Sequence, residues 1–294
     1  MEYIEEFIHH LLIEKGLSQN TIVAYKNNIK HFFIFYQDVI SSSVSLESIT
    51  LQDCIRYCSF LGRHGASSAT IAQHISSLKS FFIFLERKEY ITSSPLLFLS
   101  TPKQHSTIPS ILTLEEINSL LARPNKKTKL GMRDATILEL LYATGMRVSE
   151  LCSLDLLSLD LDRGFIRVSG KGSKERVIPL YHEICLLLKE YLISYRPLFC
   201  PIDSVVFLNR SGMKLSRQAI FLLIQKYAKQ AGIHKTISPH TIRHSFASHM
   251  IENGADIRTV QILLGHEDIS TTEVYLQLRI EHIMNAHRKF HPRN

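Results

Sequence analysis

Ten residues, Thr101-Pro102-Lys103-Gln104-His105-Ser106-Thr107-Ile108-Pro109-Ser110, carry two prolines and no apolar periodicity, in a chain that is otherwise patterned almost throughout. Proline lacks a backbone donor and disfavours helix in the residue before it, so this stretch is predicted as an extended linker. The chain is therefore expected to fold as two bodies, at 1–90 and 111–294, with 91–110 between them. A length of 294 residues suits two domains of ordinary size. Charge divides at the same place. Residues 1–100 hold eight Lys/Arg against nine Asp/Glu, and the remainder 26 against 18, so the net charge of +7 belongs to the second body. That excess points to an acidic partner.

The first body reads as helix alone. Ile4, Phe7, Ile8, Leu11 and Leu12 recur at helical spacing up to Gly16. Ser18 caps a second predicted helix carrying Ile22, Tyr25, Ile29, Phe32 and Phe33. Thr50-Leu51-Gln52-Asp53 resembles a capping box opening a third, and a fourth runs from Ser68 to Arg87. Four helices with short joints predict a small bundle. The second body is mixed. Thr113-Leu114-Glu115-Glu116 is another capping box, and Arg133–Tyr142 is a strongly apolar helix. Strands are predicted at Phe165–Val168 and Arg176–Leu180, around the glycine-rich turn Gly170-Lys171-Gly172-Ser173-Lys174, and a third at Val205–Asn209. Helices follow at Ser216–Gln230, Ser238–Glu252 and Asp256–Leu264, then two short ones near Thr271–Leu276 and Glu281–Arg288. The expected fold is mainly α with a small antiparallel sheet.

Several classes are excluded. With 45% apolar and 21% charged residues, neither disorder nor coiled coil fits. No apolar run approaches the roughly 20 residues of a membrane span. The start, Met1-Glu2-Tyr3-Ile4-Glu5-Glu6, is acidic where a signal peptide is basic, so a cytoplasmic protein is expected. Five cysteines (Cys54, Cys58, Cys152, Cys185 and Cys200) form no CxxC pair, which speaks against a disulfide framework or a zinc ribbon.

Cationic and proton-carrying residues fall near predicted element ends of the basic body: Arg147 after Gly145, Lys171 at the hairpin tip, His240 and Arg243 on one helix face, His266 after Leu263-Leu264-Gly265, and Tyr275 after Ser270-Thr271-Thr272-Glu273-Val274. Singly, each has an ordinary structural reading: a solvated arginine, a turn lysine, a half-buried tyrosine. His240 and His244 lie four apart, but the glutamate of a zincin is missing and Arg243 between them opposes a metal. Together the set has a chemical logic. A phosphodiester under attack gathers negative charge on its non-bridging oxygens, and fixed cationic donors can balance it. Arginine suits them because its planar fork donates two parallel bonds and stays charged. A tyrosine needs a base and nearby cations to become a nucleophile, and a lysine or histidine can protonate the leaving oxygen. No carboxylate cluster of the magnesium-holding kind is visible, and no cofactor is expected.

The motifs Ala143-Thr144-Gly145-Met146-Arg147-Val148-Ser149-Glu150-Leu151, Gly170-Lys171-Gly172-Ser173-Lys174-Glu175-Arg176, Ser238-Pro239-His240-Thr241-Ile242-Arg243-His244-Ser245-Phe246-Ala247, and Leu263-Leu264-Gly265-His266 through to Tyr275 resemble, in order and spacing, the tyrosine recombinases of the phage integrase family. Within the family the chain is most similar to the bacterial XerC/XerD group, and Gly254-Ala255-Asp256-Ile257 with His291-Pro292-Arg293 lean toward its XerD branch. No catalytic position departs from the pattern.

The resemblance implies a helical, SAM-like core-binding domain followed by an α+β catalytic domain with a C-terminal exchange helix that docks on a neighbour. It implies that Tyr275 attacks the scissile phosphate to give a 3′-phosphotyrosyl link, and that Arg147, Arg243 and His266 hold the non-bridging oxygens. Lys171 then protonates the leaving 5′-oxygen, His240 assists proton transfer, and Glu150 supports them. Lys174, Arg176, Lys26 and Lys30 are expected to contact DNA. The implied partners are a double-stranded recombination site, a sister Xer recombinase in a tetrameric synapse, and an FtsK-type DNA translocase. The implied work is conversion of chromosome dimers to monomers at cell division, through a Holliday junction and without metal or ATP. The alternatives are a mobile-element integrase with the same chemistry, a DNA-binding protein without catalysis, and a type IB topoisomerase.

Overall fold

The computed structural model describes residues 2–13, 15, 17, 19–40, 45–97, 111–169, 175–265, 286–287 and 289–293. Its contacts divide the chain into Met1–Thr107 and Ile108–Asn294.

The first unit is the expected four-helix body: α1 (Glu2–Ile13), α2 (Gln19–Val39), α3 (Leu51–Arg63) and α4 (Ser68–Arg87). The Thr50–Asp53 capping box opens α3 and the Ser67 hydroxyl caps α4, each satisfying helix-end donors that would otherwise lack partners. Aromatic rings fill the core. Phe7 meets Phe81 edge-on at 5.3 Å, and Phe32 meets Tyr57 at 5.2 Å. The buried Tyr57 hydroxyl bridges His31 Nδ1 at 2.7 Å and His74 Nδ1 at 2.8 Å. Ile91 and Leu96, placed by sequence in the linker stretch, pack into this core.

The second unit is built around α6 (Lys129–Thr144), which is buried on every side from Gly131 to Thr144. A helix apolar all round belongs at the centre of a domain. Its polar residues are paired there. Arg133 forks onto Asp134 at 2.9 and 2.7 Å, and Tyr227 donates to the same carboxylate at 3.0 Å. Around it pack α5 (Leu114–Leu121), α7 (Val148–Cys152), α8 (His182–Glu190), α9 (Arg217–Gln230), α10 (Pro239–Glu252) and α11 (Ile257–Leu264). Three antiparallel strands, β1 (Leu159–Asp160), β2 (Phe165–Ser169) and β3 (Glu175–Pro179), form one sheet in that order. The β2–β3 register pairs Ile166 with Ile178, and both are fully buried.

One sequence expectation is corrected, and one helix is added. Val205–Asn209 is no sheet strand; it holds only isolated bridges, Asp155 to Val205 and Leu208 to Lys214. Three of its carbonyls are taken by side chains instead: Arg196 donates to Val205 and Val206, Tyr191 to Val206, and Arg133 to Leu208. The third strand is the short β1. The helix α8, unassigned in the sequence reading, carries Ile184 and Leu188 on its buried face, four residues apart.

Candidate active site

Gly145 ends α6 in the left-handed conformation (φ 57°), and a side chain there would collide with Phe246 and Leu264, the nearest atom at 2.4 Å. Glycine is thus required for the chain to turn at once into α7, whose N-cap is Arg147. Glu150, in the first turn of α7, accepts from the Arg147 backbone N–H at 2.7 Å and from its Nη1 at 3.1 Å. The same carboxylate takes both terminal nitrogens of Arg176 on β3, at 2.8 and 2.9 Å. Burial pushes the Glu150 carboxyl up, but the Arg176 and Arg147 contacts outweigh it and hold the group below its ordinary value.

A second frame comes from the C-terminus of α11. The last carbonyls of a helix have no intrahelical partner and carry partial negative charge. Here three in succession are capped by three arginines. Leu263 O accepts from Arg176 Nε at 3.0 Å, Leu264 O from Arg243 Nη2 at 2.7 Å, and Gly265 O from Arg147 Nη2 at 3.1 Å. Arg243, reaching from α10, also donates to Gly145 O at 2.8 Å. Burial, then the neighbouring charges of Arg147 and Arg176, pushes the Arg243 guanidinium down to about 10, still charged at neutral pH. Three arginines and one glutamate leave this cluster net positive, fixed by backbone carbonyls and open to an anion on the partly exposed Arg147 side.

The structure thus brings together Arg147 and Glu150, Arg176, and Arg243 from three segments distant in sequence. His240 stands exposed on α10, three residues before Arg243. Lys171, Lys174, His266 and Tyr275 lie outside the described residues, as do the predicted helix at Thr271–Leu276 and most of that at Glu281–Arg288. Gly265, the last described residue before His266, belongs to the arginine cluster. Arg176, expected as a DNA contact, turns inward: Glu150 and Leu263 occupy its fork, and its side chain is 12% exposed. The signal that would have shown this is its place on β3, two residues before the buried Ile178. Lys26 pairs with Glu5 at 2.7 Å, and Lys30 lies one turn further along α2.

The resemblance implies an exchange helix docked on a neighbour, and most of that segment lies outside the described residues. Of its end, Ala286, His287 and His291 are buried within this single chain, and Phe290 packs on the core of the second unit. Histidine rings supply part of that packing surface. Among the described residues no helix is long and apolar enough to cross a membrane.

Known proteins resemble this chain over nearly its full length. Residues 110–282 match the phage integrase family, and residues 4–89 match the phage integrase N-terminal SAM-like domain. The chain is 42% identical to the tyrosine recombinase XerD of Listeria innocua over 99% of both chains. It is 43% identical to that of Staphylococcus saprophyticus over 99% of this chain and 98% of the relative. Among solved structures, the XerA recombinase is similar at 28% identity and TM-score 0.51, covering 98% of each chain. The XerH recombinase bound to its palindromic difH substrate shares the fold, with TM-score 0.71 at 23% identity over 97% of this chain and 94% of that one. Motifs, fold and full-length similarity together make this chain a member of the phage integrase family, the tyrosine recombinases.

Proposed function

We propose that this chain is a site-specific recombinase that cuts and rejoins DNA strands through Tyr275, acting at a double-stranded recombination site together with other recombinase subunits. The observation that carries the reading is the arginine pair. Arg147 and Arg243, 96 positions apart, are held on the adjacent carbonyls Gly265 and Leu264, where the second N–H of their terminal nitrogens can face one phosphate. In this reading they grip the non-bridging oxygens with His266 while the Tyr275 hydroxyl oxygen attacks phosphorus. The P–O5′ bond breaks, Lys171 gives the leaving 5′-oxygen its proton, and His240 takes or returns the tyrosine proton. Glu150 and Arg176 touch no substrate; they hold Arg147 and the α11 terminus in place. The phosphotyrosyl link keeps the phosphodiester's energy, so a partner strand's 5′-hydroxyl reverses the step without ATP or metal.

Similarity to XerD relatives over nearly the full chain favours a chromosomal role over a mobile-element integrase. We propose conversion of chromosome dimers to monomers in the cytoplasm, through a tetrameric synapse with a sister Xer recombinase and under an FtsK-type translocase. Lys174, Lys26 and Lys30 are proposed phosphate contacts, with Lys26 first having to leave Glu5. The test starts by sequencing DNA that co-purifies with the chain. A nicked duplex bearing the recovered site should then trap a covalent adduct, in the presence of a chelator as well. Tyr275→Phe should bind that duplex and form none. Adduct formation by the phenylalanine variant would remove Tyr275 from the role.

A further inference from the structure

The last carbonyls of α6 need partners, and two come from the far end of the chain. Within the turn, Leu141 O accepts from Gly145 N at 3.0 Å, and Leu140 O from the Thr144 hydroxyl at 2.6 Å. Tyr142 and Ala143 are fully buried, so no water can serve their carbonyls. His287 Nε2 lies 2.8 Å from Ala143 O, and His291 Nε2 lies 3.4 Å from Tyr142 O. The tautomer of His291 follows from its other nitrogen. Nδ1 accepts the backbone N–H of Arg293 at 3.2 Å, which leaves the ring proton on Nε2, facing the carbonyl. The two imidazoles stack at 4.9 Å. Asn253 Nδ2 donating to Phe290 O, and Arg293 donating to Glu139 and Asn118, clamp the segment from either side.

What the histidines cap is the root of the candidate site. Ala143 precedes Gly145 by two residues and Arg147 by four, and Gly145 O is the acceptor that holds Arg243. Phe246, three residues after Arg243 on α10, lies between the two regions. Its ring faces His287 and His291 on one side and closes on the Gly145 backbone on the other. Without the tail, two buried carbonyls would lose their donors and Phe246 one wall of its packing. A buried carbonyl left without a donor is costly, and that cost falls on the turn that sets both arginines.

We propose that His287 and His291 are positioning residues for strand cleavage, the C-terminal tail fixing the Gly145–Arg147 turn by donating to the end of α6. The proposal rests on the recombinase reading above. It makes tail seating a condition for a competent arginine pair, although no tail side chain touches the phosphate.

The experiment compares His287→Leu and His287→Gln in the full chain, on the nicked duplex bearing the recovered site. Glutamine keeps an N–H donor near the position of Nε2; leucine keeps volume alone. Single-turnover adduct formation should fall at least tenfold in His287→Leu with duplex affinity unchanged, and return to within about threefold of wild type in His287→Gln. Should His287→Leu not fold, His291→Leu removes the longer contact and should show a smaller loss in the same direction. Folded leucine variants that cleave at the wild-type rate would overturn the proposal, as would equal losses in leucine and glutamine variants. A wild-type chain that makes no adduct on the recovered site would overturn the recombinase reading itself, a result separate from these.

Discussion

Arg147 donates to the carbonyl of Gly265, 118 residues away, at 3.1 Å. With Arg243 on Leu264 and Arg176 on Leu263, this bond turns the negative end of α11 into a mount for three cations. The helix end does two jobs. It orients the guanidiniums, and it offsets part of their mutual repulsion before any phosphate arrives.

The arginines should therefore matter far more to rate than to binding. Losing one preorganised donor to a developing oxyanion costs about 3–4 kcal/mol, or 10²–10³ in rate. Arg147→Ala and Arg243→Ala should each slow adduct formation on the nicked duplex by at least that factor, while filter binding to the same duplex changes little. Cleavage within a few-fold of wild type in either variant would contradict the assigned roles.

Glu150 predicts a different signature, because it serves structure first. Four donors converge on a carboxylate only 6% exposed. Removing one partner of such a buried pair costs about 3–5 kcal/mol, since the remaining charge is stranded. Glu150→Ala should show that loss in urea titration of the catalytic unit, and Glu150→Gln a smaller one. The carboxyl is held below its ordinary value near 4.5. Its stabilisation is therefore present above pH 4.5 and lost as pH falls through the lowered value of the folded state. A glutamine variant with the same acid sensitivity as wild type would rule this out.

The frame that these variants probe was only partly legible in the sequence. The helices were legible because apolar spacing and end chemistry agree: Thr50 with Asp53 and Thr113 with Glu116 form the capping boxes their spacing predicts. The pairing of Arg147 with Arg243 was legible because chemistry and motif order coincide. The inward turn of Arg176 was legible only in part: its place two residues before Ile178 puts it on the buried face of β3, but nothing in the sequence names Glu150, 26 positions away, as its partner. Val205–Asn209 misled for a related reason. Its β-rich composition is real, but Arg196 takes the carbonyls a strand would need. Tail histidines likewise look polar in sequence and pack as aromatic rings.

Gly145 supplies a test of the turn itself. A methyl group there would meet Phe246 at 2.4 Å and Leu264 at 2.9 Å, with the backbone at φ 57°. The left-handed conformation costs roughly 1–2 kcal/mol for an L-residue and overpacking roughly 1–3 more. Gly145→Ala should lower catalytic-unit stability by about 2–5 kcal/mol and reduce cleavage beyond what the unfolded fraction explains. Gly232, also at positive φ but with open space around it, is the control: Gly232→Ala should cost strain alone and leave cleavage intact. Equal effects at the two glycines would mean that the Phe246 contact is unimportant.

His291 carries the last prediction. Burial, then His287 stacked beside it, pushes its imidazole down to about 3, so the folded chain keeps it neutral. Arg293 on the same segment and His249 on α10 work in the same direction, while the Tyr142 carbonyl works against them. Tyr181, Phe246 and the Glu139 carboxyl complete the surroundings; burial raises the Glu139 carboxyl, with Arg293 opposing that rise. In the unfolded chain the same ring protonates near 6.5. Between those values the unfolded state binds a proton that the folded state refuses, so stability falls as pH drops below 6.5. A one-unit shift corresponds to about 1.4 kcal/mol, and for this single group a change from pH 7.5 to 5.5 should cost roughly that amount. His291→Gln, which keeps the donor and cannot take the charge, should be less sensitive to the same change by about that difference. The urea transition of the catalytic unit at both pH values measures it. Equal losses in wild type and variant would show that His291 is not held neutral in the folded chain.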